Sequence, residues 1–108
     1  DVSTKDSSRW TPLHHAAGAG HVRTVETLMR ATNIGFSYSL EAEDWRGNTP
    51  LMTAAGRGRD RVVQVLIQHK ADVTARNAKG MTALDIAIEN ANATVVMEIL
   101  KSERYLKA

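Results

Sequence analysis

The sequence predicts an all-α fold in which helix pairs repeat along the chain and stack into a solenoid. Three observations predict it. A short motif recurs as Thr11-Pro12-Leu13-His14-His15-Ala16-Ala17, Thr49-Pro50-Leu51-Met52-Thr53-Ala54-Ala55 and Thr82-Ala83-Leu84-Asp85-Ile86-Ala87-Ile88, at spacings of 38 and 33 residues. Each copy is followed by apolar residues at a helical period: Val22, Val25, Leu28 and Met29, then Val62, Val63, Leu66 and Ile67, then Val95, Val96, Ile99 and Leu100. The segments 1–6, 39–44 and 72–77 also align, each beginning ten residues before its motif threonine.

Each position of the repeat has a physical task. Thr11 and Thr49 can accept from the orphan N–H groups that open a helix. Pro12 and Pro50 follow at a position that needs no donor and favours their fixed φ. Leu13, Ala16 and Ala17, recurring as Leu51, Ala54 and Ala55, place one large and two small apolar side chains where neighbouring helices meet closely. Gly20 and Gly58 fall just past the first helix of their repeats, where a positive φ ends it cheaply. The second helices each have one apolar face, and helices this short are marginal alone in water, so the stack itself must be the core. Gly47 and Gly80 supply the positive φ of the turns between repeats.

The Thr-Pro-Leu-His-x-Ala-Ala motif, followed by Gly20-His21 and preceded by the turn Asp44-Trp45-Arg46-Gly47-Asn48, resembles the ankyrin repeat family over nearly the whole chain. The resemblance implies an ankyrin-type helical repeat solenoid whose aligned segments form short β-hairpin-like fingers between helix pairs. It divides residues 1–108 into one array with modules 6–43, 44–76 and 77–108, and makes 1–5 the tail of a preceding repeat or finger. Module 6–43 carries a five-residue insertion within 32–38 that includes Phe36 and Tyr38. That loop is read as packed on the second helices, with a secondary contact site as the alternative. Arg9 stands where the later fingers have Gly47 and Gly80, Lys70 replaces the usual Gly after a second helix, Ala83 replaces Pro, and Ala91-Asn92 replaces Gly-His. Asp1-Val2 aligns with Asp72-Val73, which follows a second helix, so the chain is expected to begin inside a larger array. Residues 101–108 are expected to continue the last helix and lay Tyr105 and Leu106 on its bare end.

Composition removes several functional classes. The chain has no cysteine, which excludes disulfides, thiolate metal sites and a Cys nucleophile. No apolar run approaches the roughly 18 residues of a spanning helix, so no membrane insertion is expected. Lys plus Arg against Asp plus Glu is 5 to 6 in residues 1–54 and 9 to 6 in 55–108, an asymmetry too mild for nucleic acid as the main ligand despite a pI near 9.2. His14, His15 and His21 cluster, but at no metal-ligand spacing. The resemblance makes His14 a partner of the Thr hydroxyl and His21 a partner of neighbouring loop backbone. Glu41, Glu43 and Asp44 lie on an extended finger, where water denies them the pKa tuning that catalysis needs. Arg57, Arg59 and Arg61 are read as a solvated loop, with an acidic-peptide or phosphate contact as the alternative.

The resemblance implies an intracellular, cytoplasmic or nuclear, protein–protein interaction module, with no catalytic residue, cofactor or metal. Its partner is expected to be a protein or peptide of acidic character, and further domains of the same parent chain are expected. The alternative is a structural spacer within a longer array. By resemblance the partner docks on a concave face of finger tips and first helices, and the residues assigned to it are Trp10, Trp45, Arg46, Asn48, Arg57, Lys79, Met81, Glu89 and Asn90. A finger-tip Trp has no evident partner in the fold, whereas Trp and Arg often anchor interfaces, so Trp10 and Trp45 are read as apolar anchors. Arg46 and Arg57 are expected to pair with acidic or carbonyl groups, and Met81 to adapt. The alternative for Trp10 is that it folds back over the first helix.

Overall fold

The computed structural model describes the backbone of residues 10–31 and 40–107 and the side chains of residues 10–30 and 40–102. Among these residues six helices follow in order: α1 (Pro12–Ala19), α2 (Val22–Ala31), α3 (Pro50–Gly56), α4 (Asp60–Gln68), α5 (Ala83–Glu89) and α6 (Ala93–Lys107). They stack in two rows, an inner row of α1, α3 and α5 and an outer row of α2, α4 and α6, with the two helices of each repeat packed together. The first finger, with Ser7, Ser8 and Arg9, lies outside the described residues, as do Phe36 and Tyr38. α6 continues through Lys107 as expected, and the side chains of Tyr105 and Leu106 lie outside those described.

The three motif threonines start the inner helices as their chemistry requires. Thr11, Thr49 and Thr82 sit in extended backbone and accept from the amides of His14, Met52 and Asp85. In α1 and α5 the bond is returned: His14 Nδ1 accepts from the Thr11 amide and Asp85 Oδ2 from the Thr82 amide. These are capping boxes built on His and Asp in place of the usual Glu. Met52 offers no comparable acceptor, and Pro50 supplies the helical φ there instead.

All three inner helices end alike. The amides of His21, Arg59 and Asn92 reach back five residues to the carbonyls of Ala16, Ala54 and Ala87. The residue before each of these amides lies in left-handed backbone: Gly20 at φ 78°, Gly58 at 71° and Ala91 at 57°. Lys70, at φ 73°, closes α4 the same way, with the Ala71 amide on the Leu66 carbonyl. Ala and Lys carry a Cβ that this backbone crowds, at about 1–2 kcal/mol, whereas Gly does not. Lys70→Gly and Ala91→Gly should therefore each stabilise the chain by about 0.5–1 kcal/mol, after the entropy Gly adds to the unfolded state. Urea unfolding midpoints should rise for both variants; a fall in either would mean that its side chain makes contacts worth more than the strain.

The core follows the repeat. Leu13, Leu51, Ala17, Ala55, Val62, Val63, Leu66, Val95 and Ile99 are all buried. The inner helices approach closely because their late positions are small: a Cβ on Gly18 would lie 3.1 Å from Thr53 Cγ2, and one on Gly56 3.3 Å from Ile86 Cγ2. Position along the stack decides burial as much as residue type does. Ala17 and Ala55 are fully covered by the next repeat, while Ile88 at the same register is 59% exposed. Leu100, expected on the buried face of its helix, is likewise exposed, since no described helix pair lies beyond α5 and α6.

The expected bond from His21 to neighbouring backbone does not form among the described residues, where His21 is exposed. Its counterparts in the next two repeats do the work. Arg59 Nε donates to the Gly18 carbonyl at 3.0 Å and Asn92 Nδ2 to the Ala55 carbonyl at 2.7 Å, so each ties its repeat to the preceding inner helix. The replacement of His by Asn92, which the motif comparison marks as a departure, therefore keeps the function of the position.

The loops behind the fingers carry a titratable pair. Glu41 Oε2 accepts the Asp72 amide at 2.9 Å, and Asp72 accepts the amide and hydroxyl of Thr74. Burial raises the Glu41 pKa above its ordinary 4.5, with the Asp72 amide opposing and the Asp72 charge adding. The Thr74 hydroxyl and amide hold Asp72 below its ordinary 3.8. Protonated Glu41 thus stabilises the fold below pH 4.5, and that stability is lost as pH rises through its raised folded value. Asp72 acts oppositely, losing its contribution as pH falls below 3.8 through its lowered value. Glu41→Gln should remove the loss on the neutral side, so its stability relative to the parent chain should increase as pH rises from 4.5 through the raised folded value. A difference that stays constant over that range would place the cost elsewhere.

Candidate partner-binding site

Each described finger is a tight turn held by one side chain. In the second, Asp44 Oδ1 accepts the amides of Arg46 and Asn48, both at 2.9 Å, while the Asp44 amide bonds the Asn48 carbonyl and the Gly47 amide the Asp44 carbonyl. In the third, Asn77 Oδ1 accepts from Lys79 and Met81 in the same pattern. The two fingers are then stitched together. The Ala78 amide donates to the Arg46 carbonyl, and Asn77 Nδ2 donates to Asn48 Oδ1. These are hairpin-like turns, and no strand occurs among the described residues.

This stitching fixes two adjoining open clefts on the face made by the fingers and the inner helices. The first, of about 530 Å³, is lined by Trp10, His15, Asp44, Met52, Thr53, Gly56 and Arg57. The second, of about 560 Å³, is lined by Asn77, Ala78, Lys79, Met81 and Glu89. Trp45, Arg46, Asn48 and Ile86 border both. Most of the residues assigned by resemblance thus come together on one surface. Asn90 lies outside both clefts, and its side-chain amide donates to the Ile86 carbonyl at the end of α5.

The tryptophans divide their roles. Trp45 is 59% exposed, with the Arg46 guanidinium carbon 4.7 Å from its ring centroid. Trp10 does have a task in the fold. Its Nε1 donates to Asp44 Oδ2 at 3.0 Å, its ring stacks on His14 at 6.3 Å, and His15 meets it edge-on at 4.9 Å. It lies over α1, 3.4 Å from where a Cβ on Gly18 would stand, so the fold-back geometry is the one found, and the remaining surface of the ring lines the first cleft. Arg57 sits over that ring at 5.2 Å. The Arg57, Arg59 and Arg61 cluster is accordingly split: Arg57 faces the cleft, Arg59 ties two repeats together, and Arg61 is exposed on α4.

The expectation that finger carboxylates are solvated fails for Glu41, which is half-buried with its pKa raised by that burial, and for Asp44. Asp44 is buried and takes three hydrogen bonds, from Trp10, Arg46 and Asn48. Asn48, assigned to the binding face, is also part of the framework. Its carbonyl accepts from both the Asp44 amide and His14 Nε2, and its side chain from Asn77. Sequence reasoning missed His15, Thr53 and Ile86, which line the clefts. Their signal was available, because they occupy the same motif register, four residues after Thr11, Thr49 and Thr82.

A stack of short helix pairs with hydrogen-bonded fingers and a clefted inner face defines a helical-repeat scaffold. The chain belongs to the ankyrin repeat family: the family model for ankyrin repeats (3 copies) matches residues 1–77 and 33–107. It is 32% identical over 90 residues to human Ankyrin repeat domain-containing protein 13C, covering 83% of this chain and 16% of that protein. To human SMC5-SMC6 complex localization factor protein 1 it is 34% identical over 91 residues, covering 82% of this chain and 8% of that protein. To mouse Protein phosphatase 1 regulatory subunit 12A it is 32% identical over 80 residues, covering 74% and 7%. The chain therefore spans a small part of the length of these relatives. Ankyrin repeats are generally protein–protein interaction modules, and among the described residues no helix is long and apolar enough to cross a membrane.

Proposed function

We propose that this chain is a non-enzymatic interaction module that holds a protein or peptide of acidic character on the face of its fingers and inner helices, within a longer intracellular protein. The observation that carries the reading is Trp45, 59% exposed between two clefts and backed by Arg46 at 4.7 Å. A large aromatic left mostly in water at the junction of two concavities adds little to the core, while such residues dominate binding energy when a partner covers them. Hydrogen-bonded fingers support the reading further, since a preformed surface loses little entropy on binding. The family and its relatives, a regulatory subunit and a localization factor by name, fit a module of this kind.

The test begins with a partner captured from cell lysate by the intact chain and then purified. Trp45→Ala and Arg57→Ala, each checked for retained helicity and melting, should weaken its binding by more than about 1 kcal/mol. Full binding by both variants would move the site away from this face.

A further inference from the structure

Resting on that reading, we propose that the first cleft selects an extended peptide segment carrying an Asp or Glu beside an aliphatic residue, the carboxylate gripped by Arg57 and Arg46 and the aliphatic side chain seated on Ile86 and Trp45.

Charge separates the two clefts. The second contains Lys79 and Glu89 beside the shared Arg46, so its two cations already face one exposed carboxylate. The first contains Arg46 and Arg57, and the acidic residue in its lining is Asp44. Asp44 is buried, with Oδ1 taking two backbone amides and Oδ2 the Trp10 indole, so it does not reach out to either guanidinium. Among the described residues, neither Arg46 nor Arg57 has a carboxylate within 4.0 Å; the ion pair found there joins Lys101 and Glu98. Two cations in one concavity, without a carboxylate of the described fold to pair with, make the occupant's complementary charge negative.

Geometry then favours a carboxylate. Both guanidiniums lie over indole rings, at 4.7 and 5.2 Å, which restrains long side chains that otherwise lose much rotamer entropy on binding. A guanidinium held over a ring keeps its in-plane N–H edges for the two oxygens of a carboxylate. A phosphate typically recruits backbone amides as well. Here the amides of Arg46 and Asn48 at the finger already donate to Asp44, and those of His14 and Met52 donate to Thr11 and Thr49. Ile86 and Trp45 border both clefts, so an aliphatic side chain on them would sit next to the carboxylate along an extended backbone.

A phage library of random twelve-residue peptides should be panned on the 108-residue chain and the winning sequences synthesised. The selected pool should be rich in Asp or Glu next to an aliphatic residue. Binding of those peptides should fall about tenfold on Arg57→Gln and on Arg46→Gln, weaken with added salt, and recover only partly with Arg57→Lys. Neutral winners that still require Trp45, or acidic winners indifferent to both Arg variants, would overturn this inference and leave the face reading standing. Winners indifferent to Trp45→Ala and to both Arg variants, or a pool no different from unselected phage, would overturn both. Tighter binding by more than about tenfold when phosphoserine replaces the acidic residue would reassign the cleft to phosphate.

Discussion

Gly47→Ala should cost about 2–3 kcal/mol of stability and Gly80→Ala about 1, although both glycines close the same finger turn at nearly the same φ, 78° and 76°. The shared part is the left-handed backbone, where any Cβ costs about 1–2 kcal/mol, reduced by the entropy that Ala removes from the unfolded chain. The difference is in surroundings. A Cβ on Gly80 meets nothing within 4 Å, whereas one on Gly47 would stand 2.8 Å from the Ala78 amide nitrogen and 3.3 Å from Asn77 backbone. Those are fixed atoms, and the Ala78 amide is the donor of the bond to the Arg46 carbonyl that joins the two fingers. The finger must move, and that bond lengthens or breaks at about a further 1 kcal/mol. Urea unfolding of the two variants side by side is the measurement. Equal losses would mean that the fingers slide apart without cost, and that the clefts are less fixed than their hydrogen bonds imply.

That comparison also marks where the sequence stops being informative. The motif exposes the turn glycines, the threonine caps and the apolar faces, because each depends on a residue and its immediate neighbours. Helix starts at Pro12, Pro50 and Ala83 follow from that local chemistry. What depends on the stack does not show. Ile88 stands at the register of the buried Ala17 and Ala55 and is exposed, with no described helix pair beyond its repeat. Asp44 reads as a solvated finger carboxylate, and becomes buried because Trp10, 34 residues earlier, donates to it. The same bond explains Trp10. Its partner Asp44 belongs to the next repeat, which its own stretch of sequence does not show. Asn92 looks like the loss of a family histidine, yet it, like Arg59 at the same register, finds a carbonyl in the repeat before it. The clefted face is legible as a set of positions, since eight of the nine assigned residues border one cleft or both, Asn90 being the exception. Its division into one cleft whose carboxylate is buried and one that exposes Glu89 is not legible, because that depends on which carboxylate is already occupied.

His14→Ala should be the most damaging single change, at about 3–4 kcal/mol, a large part of the roughly 5–15 kcal/mol typical of a domain. The His14 side chain is fully buried and joins two repeats. Nε2 lies 2.9 Å from the Asn48 carbonyl, which can only accept, so Nε2 carries the hydrogen. Nδ1 is then the acceptor, 3.2 Å from the Thr11 amide and 2.9 Å from the Thr11 hydroxyl. Truncation opens a cavity under Trp10, whose ring stacks on the imidazole, and leaves the Thr11 amide without that acceptor in a buried position. The second repeat supplies the control, since Met52 fills the same register without a polar contact of this kind. His14→Met should restore most of the volume but not the hydrogen bonds, and so cost about 2 kcal/mol. The ordering of parent, Met variant and Ala variant in chemical denaturation separates packing from hydrogen bonding. A Met variant as stable as the parent would show that the bridge to Asn48 adds nothing to the fold, and that the register between the first two repeats is set by apolar packing alone.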